Sequence, residues 1–245
     1  MSPAQQPPQP VGGRALELLD RTDYRLAETP QEKEEIYRLR YRAYLHERTI
    51  DPNPARSISD RFDDLPNSWT FGVYFDGALV SSVRISVSFP EQPETPSTVV
   101  FPDLLKPALA ARKVMVDPTR FVAEPERSVR FPELPYLTLR LAYVACSYFE
   151  ADLGLASVRT EHRAFYRRVF LHEPLGEPRA YPGLTKPICL MAVDYPRMRE
   201  KVYSRYPVFR SSLFERRMLF ERRLGHHASL VGPGFDQIER ATVAS

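Results

Sequence analysis

Apolar positions along the chain change period several times, and each change marks an element. From Thr29, "TPQEKEEIYRLRYRAYLHE" places Ile36, Leu39, Ala43 and Tyr44 on one face, the spacing of an amphipathic helix. Thr29 suits the N-cap and Pro30 the first turn. Glu32 to Glu35 put negative charge near the positive end of the helix dipole. Just upstream, "YRLA" from Tyr24 predicts a short strand. A loop spans about Arg48 to Ser68. "WTFGVYFDGALVSSVRISVS" then sets two β-rich runs around Asp76-Gly77, a hairpin signal. A Pro-rich crossing and "FPDLLKPALAA" lead to a strand at "RKVMV". "LPYLTLRLAYVACSYFEADLG" is apolar almost all round and predicts a buried helix ended by Gly154. A strand at "LASVRT", a short helix at "EHRAFYRRVF" and a long strand at "KPICLMAVDY" follow, and helical arms continue beyond Tyr195.

This order joins a mostly antiparallel sheet to a strand-helix-strand crossover. It predicts an α+β fold, a mixed α/β sandwich, and not a doubly wound sheet. The opening "SPAQQPPQPVGG" has the composition of a disordered tail. The expected organisation is a tail over 1–20, one domain over 21–195 and a basic helical extension over 196–245. With 245 residues and 43% hydrophobic content, the chain can bury one substantial core. It holds 24 prolines and only 10 glycines, so its loops are stiff and nucleotide cradles are scarce.

Charge and cysteine usage narrow the classes. A formal net charge of +3 is too small to imply nucleic acid. The segment "YSRYPVFRSSLFERRMLFERRLGHH" holds arginine well in excess of glutamate. It fits an acidic partner or peripheral contact with a phospholipid surface, or else a solvated helix of Arg–Glu pairs. Cys146 and Cys189 lie in apolar runs, as buried free thiols of a reducing compartment do. The start lacks a basic stretch followed by an apolar core, and no run has the apolar length of a membrane span. A cytoplasmic protein is expected. No His/Cys cluster has zinc spacing and no G-x-S-x-G turn is present, so neither a metal site nor serine hydrolysis is expected.

One residue breaks the pattern. Arg40 lies on the apolar face of the first long helix, and a buried guanidinium requires a partner. Three motifs in order, "RLRYRAY", "SDRFDD" and "LVSSVRIS", resemble the acyl-homoserine-lactone synthases and the N-acyl amino acid synthases of the GCN5-related N-acyltransferase superfamily. The second half, "RTEHRAFYRRVFLHEPLGEPRAYPGLTKPICLMAVDY", is more similar to the N-acyl amino acid synthases. The resemblance runs from about Tyr24 to Tyr195. It implies that Arg40 and Tyr44 on the helix, Asp60 and Asp63 as a D-x-x-D pair, and Arg84 closing the strand after the hairpin form the site, against an ordinary ion-pair lock with no ligand contact. Trp69, at the start of that hairpin, joins the expected substrate-binding set. The lactone synthases carry a Glu-x-Ser-Arg sequence on the fourth strand, whose Glu is a proposed base. Aligned on Val116-Asp117, that pattern falls on Ala110 and Lys113, so the base is expected to be missing or moved.

The resemblance also implies splayed fourth and fifth strands that admit a thioester. Val114, Met115, Val116 and Val158 would then lie beside it. Glu161 and His162 follow the fifth strand, and His162 is a candidate to take the amine proton, against a simple helix-capping role. Tyr166 shares the His162 face and is expected either to donate to the leaving thiolate or to pack in the core. No glycine opens the long helix at "FPELPYLTLR", so tight coenzyme A binding is disfavoured. The expected co-substrate is the acyl-phosphopantetheine thioester of an acyl carrier protein, with no bound cofactor. Arg112, Lys113, Arg120, Arg127 and Arg130 are the expected docking residues for that acidic partner, against scattered loop charges. The activity expected is transfer of a fatty acyl group to the amine of an amino acid or similar small acceptor, by a monomer or homodimer. The alternatives are a lactone-type signal synthase using S-adenosylmethionine, and a catalytically silent acyl-carrier or lipid-binding module.

Overall fold

The computed structural model describes residues 11–128, 130–181 and 183–221. A first helix, α1 (Val11–Glu17), buries Ala15 against the core, so part of the segment expected to be a tail is helical. Strand β1 (Thr22–Leu26) leads to α2 (Pro30–His46). The expected N-cap holds: Thr29 Oγ1 accepts from the Glu32 amide, and the Glu32 carboxylate accepts from the Thr29 amide. The hairpin is β2 (Ser68–Phe75) and β3 (Ala78–Ser88). Its two-residue turn, Asp76-Gly77, takes positive φ at both positions (49° and 79°), the twist that matches antiparallel strands.

Two short helices, α3 (Pro96–Val100) and α4 (Pro102–Ala110), precede β4 (Met115–Ala123). After α5 (Pro125–Ser128) comes α6 (Leu134–Tyr148), buried along most of its length. It stops at Tyr148; Gly154 belongs instead to β5 (Leu153–Arg159). There a Cβ would lie 3.2 Å from Val193 Cγ1. Helix α7 (Arg163–Phe170), a two-residue strand β6 (Glu173–Pro174) and β7 (Ile188–Asp194) follow, and the chain continues into α8 (Tyr195–Arg205) and α9 (Leu213–Phe220).

Among the described residues, seven strands form one sheet in the order β1-β2-β3-β4-β5-β7-β6. All neighbours are antiparallel except β4 and β5, which are parallel and pair only at Met115–Leu153 and Val116–Gly154. Beyond that point β4 and β5 separate, leaving a slot in the sheet. Side chains alternate across the strands. One face presents Phe71, Val73, Val83, Ile85 and Val116 to α6 in a single apolar cluster. The other presents Thr70, Arg84 and Asp117, all buried.

The described part of the C-terminal arm, residues 196–221, packs on the core. Phe209 and Phe220 are buried, with Phe220 packed on Trp69, Phe71 and Phe149. Arg140 of α6 ties the arm down through the Val208 carbonyl (2.6 Å), the Arg210 carbonyl (2.7 Å) and Glu215. Leu213, Phe214 and Met218 of α9 face solvent. Among the described residues, no helix is long and apolar enough to cross a membrane. Residues 222–245, including His226 and His227, lie outside the described residues, as does the 1–10 part of the expected tail.

Candidate active site

Arg40 meets Asp63. Its Nη1 lies 2.9 Å from both carboxylate oxygens, and both side chains are fully buried. Asp63 also accepts from Thr70 Oγ1 (3.2 Å) and the Asp60 amide (3.0 Å), and Arg84 Nη1 stands 3.2 Å away. Asp60 caps the turn over Arg61–Asp64 through the Phe62 amide, and it pairs with Arg84 (2.5 Å) and Arg120 (2.6 Å). Burial works to raise the Asp60 pKa. The two guanidiniums, Arg84 foremost, outweigh it and hold the carboxyl at about 2. The cluster thus pins the 48–67 loop onto β2, β3 and β4.

Arg120 reaches the cluster through a backbone irregularity. Arg84 pairs with Thr119 and Ser82 with Val122, so two residues of β4 oppose one of β3. Arg120 is one of the two and adopts φ +54°. A non-glycine residue in that region needs support from its surroundings, and Asp60 supplies it, with the Tyr44 ring 5.7 Å from the guanidinium. Arg120 is therefore a nearly buried member of the site and not a docking residue; only 10% of its side chain is exposed.

The fourth strand also carries an acid. Ala110 closes α4 and Lys113 lies in the turn before β4, so neither occupies the strand. The strand itself reads Asp117-Pro118-Thr119-Arg120: acid, hydroxyl two residues on, arginine three residues on. That is the Glu-x-Ser-Arg spacing with a shorter acid and Thr for Ser, and the expected vacancy at Ala110 is corrected. Asp117 is fully buried. It accepts from the Ser97 amide (2.8 Å) and Ser97 Oγ (2.7 Å), and Ser97 Oγ lies 2.8 Å from Ser157 Oγ on β5. These three side chains bridge β4 and β5 across the slot. Burial pushes the Asp117 pKa up, against the Ser97 donors.

The remaining expectations divide. Val116 and Tyr166 line a narrow apolar cavity on the α6 side of the slot, with Pro118, Leu139, Tyr143, Phe170 and His172. Val158 is buried in the same core, whereas Met115 faces the opposite cluster around Phe101 and Leu190. Val114 closes the β4–β5 junction, its amide donating to Asp152. Trp69 packs among Phe149 and Phe220, away from the cavity lining. Glu161 and His162 are exposed on the rim beyond β5. There Arg159 contacts His162, Glu161 and Glu47, apart from the buried cluster, because the chain turns outward at the end of β5. Arg112 pairs with Glu91 at the start of β4, while Arg127 and Arg130 follow its end. A nine-residue strand spans roughly 30 Å, so the expected docking residues form no single patch.

The start of α6 is occupied by the protein itself. The Glu133 carboxylate is buried there and pairs with Arg14 (3.2 Å). Among the described residues, no group of three or more His, Cys, Asp or Glu side chains is arranged to hold a metal.

Comparison with known proteins agrees with this fold. The family model "N-acyl amino acid synthase FeeM" matches residues 35–194. No curated protein matches the chain. Among solved structures, FeeM, an N-acyl amino acid synthase from uncultured soil microbes, superposes with a TM-score of 0.62 at 17% identity, covering 76% of this chain and 98% of that one. The acyl-homoserine-lactone synthase LasI gives 0.54 at 14% identity, covering 70% and 89%. BjaI, a coenzyme A-dependent lactone synthase with SAM and isopentyl-CoA, gives 0.51 at 17%, covering 71% and 81%. These likenesses show the shared acyltransferase fold. With its mixed seven-stranded sheet and the family match over 35–194, the chain is an N-acyltransferase and belongs to the FeeM family of N-acyl amino acid synthases.

Proposed function

We propose that this enzyme moves a fatty acyl group from acyl carrier protein to the α-amine of an amino acid, with Asp117 as the general base. The observation that carries the reading is the Asp117–Ser97–Ser157 chain spanning the slot, with Asp117 and Ser97 buried and Ser157 half-buried. A neutral amine attacks the thioester carbonyl carbon, and the C–N bond forms as the carbonyl oxygen becomes an oxyanion. The β4–β5 ladder ends at Val116–Gly154, so the strand edges beyond it offer backbone N–H groups to that oxyanion. The amine proton passes to Asp117, directly or through the Ser157 and Ser97 hydroxyls. The C–S bond then breaks, and the phosphopantetheine thiolate leaves and takes a proton. An acid whose pKa is raised by burial is suited to accept the proton near neutral pH.

Three arginines face Asp60 and Asp63 beside this acid. The extra positive charge suits an acceptor that carries a carboxylate. For the donor, the buried Glu133 at the start of α6 opposes a pyrophosphate at that helix. A carrier-borne phosphopantetheine needs no such site. Arg127 and Arg130 flank the open end of the slot and suit an acidic carrier. The buried free thiols Cys146 and Cys189 fit a cytoplasmic setting.

A second reading, a lactone-type synthase using S-adenosylmethionine, draws support from the Asp-x-Thr-Arg spacing of β4. Purified enzyme given acyl carrier protein or coenzyme A thioesters, with an amino acid pool plus S-adenosylmethionine, separates the readings by mass spectrometry. N-acyl amino acids made from the carrier thioester support the first reading. A homoserine lactone product, or coenzyme A used equally well, overturns it.

A further inference from the structure

Helix α9 has a buried side and an exposed one. Phe220 packs into the core, and Glu215 is held by Arg140 of α6. The Ser212 hydroxyl caps the helix by accepting from the Glu215 amide (3.1 Å). The helix is therefore fixed in place before anything docks on it. Its outward side presents Leu213, Phe214 and Met218, which are 62%, 74% and 65% exposed. Positions 213, 214, 217 and 218 share one side at helical spacing, so Arg217 stands among them. Single exposed leucines need no explanation, but a contiguous apolar face on an anchored helix does.

The charge around the face points to what covers it. Residues 196–221 hold seven Arg and Lys against three Glu, so this arm alone is more positive than the +3 of the whole chain. Glu215 is answered from within by Arg140. Glu200 and Glu221 pair at the surface with Arg210 (3.3 Å) and Arg217 (2.8 Å), whereas Arg197, Lys201 and Arg205 of α8 are exposed beside them in the chain. Arg222 and Arg223 follow directly in the sequence. A second copy of the chain is a poor occupant. Three side chains fall far short of the roughly 20 residues a side that a stable interface buries, and a two-fold contact would set arginines against arginines. An anionic phospholipid surface fits both features. Side chains this exposed project far enough to enter the headgroup boundary, and the arginines around them meet anionic headgroups. Among the described residues no helix can cross a bilayer, so such contact is peripheral.

We infer that the outward face of α9 docks the enzyme reversibly on a membrane rich in anionic phospholipid, with Leu213, Phe214 and Met218 inserting and the basic side chains of the arm around them. The inference stands on the arm alone and does not depend on the acyl donor or the acceptor.

The test uses the full chain and vesicles of two kinds, phosphatidylcholine alone and phosphatidylcholine mixed with phosphatidylglycerol. Wild type is expected to sediment with the anionic vesicles on the order of tenfold more strongly than with the neutral ones, and less so as salt is raised. Leu213→Ser, Phe214→Ser and Met218→Ser combined should cut that binding about tenfold. Arg216→Glu with Arg217→Glu should cut it on the order of tenfold as well. Insertion has its own readout. The chain has one tryptophan, the buried Trp69, so Phe214→Trp adds an exposed indole whose emission should shift to the blue with anionic vesicles only. A wild type that ignores anionic vesicles, or binding that survives the triple serine change, overturns the inference. So does a dimer, or a complex with acyl carrier protein, that the triple change abolishes while vesicle binding is absent; the face is then a protein interface. Vesicle binding that appears only after removal of residues 222–245 also overturns it, since the chain's own end then occupies the face. Circular dichroism and melting check that the variants fold, as changes at exposed positions should allow.

Discussion

Arg40 and Asp63 form a fully buried ion pair, so removing either partner strands the other charge. Arg40→Ala is expected to lower stability by about 3–5 kcal/mol and to abolish turnover, as urea unfolding and the product assay will read. Asp60→Asn should cost less, because that side chain is 23% exposed. Two groups of the interior contribute to the acid response. Asp60 has a folded pKa of about 2, below its unfolded value of roughly 3.9; its contribution is present above about pH 4 and lost as pH falls toward 2. His172 has a folded pKa of about 4, below an unfolded value near 6.5. The folded state excludes a proton that the unfolded chain binds, so stability falls as pH drops from about 6.5 to 4. Chemical unfolding across this range should show both losses, and His172→Leu should remove the upper one alone. An unchanged pH profile in that variant would mean that the imidazole is not held neutral.

At the scale of elements, the arm and the bulge carry the predictions. Phe220 is buried among Trp69, Phe71 and Phe149, so Phe220→Ala should cost about 3–5 kcal/mol. Phe214, exposed on the same helix, should tolerate alanine within about 0.5 kcal/mol. Comparable losses at the two positions would contradict the packing of α9. Truncation after Tyr195 would therefore uncover the core. Several elements were legible because side-chain type encodes them: the Thr29 capping box, the Asp76-Gly77 turn and the apolar run of α6. Arg40 was legible as an inward charge, since a guanidinium on an apolar face demands a carboxylate. Arg120 was not, because arginine has no preference for positive φ; Asp60, sixty residues away, holds it in the bulge. Asp117 was hidden for a related reason. One acid in an otherwise alternating strand looks exposed until α3 brings Ser97 over it. The His172 placement depends on the left-handed turn at Leu171, which leucine does not signal.

For the whole molecule, the sheet separates the α6 core from a face that carries both the buried charged cluster and a second apolar cluster around Phe101 and Leu190, and the β4–β5 slot opens through it. Arg127 and Arg130 follow the end of β4, the proposed approach for a carrier, while Arg112 lies at the other end of the strand. Charge reversal of Arg127 and Arg130 should raise the KM for carrier-bound donor more than it lowers kcat, and salt should mimic the change. Arg112→Glu should do neither, and an equal effect would move the dock. The account as a whole turns on Asp117 as the base that receives the amine proton. Its raised pKa means that the ionised acid is strained by burial, so Asp117→Asn should melt at the wild-type temperature or above at pH 7. The most direct measurement is single-turnover transfer from acyl carrier protein to the amino acid by wild type and Asp117→Asn, followed by mass spectrometry. The account predicts a folded variant whose N-acyl product forms on the order of 10²–10⁴ times more slowly. A folded Asp117→Asn enzyme that makes product at the wild-type rate would contradict it.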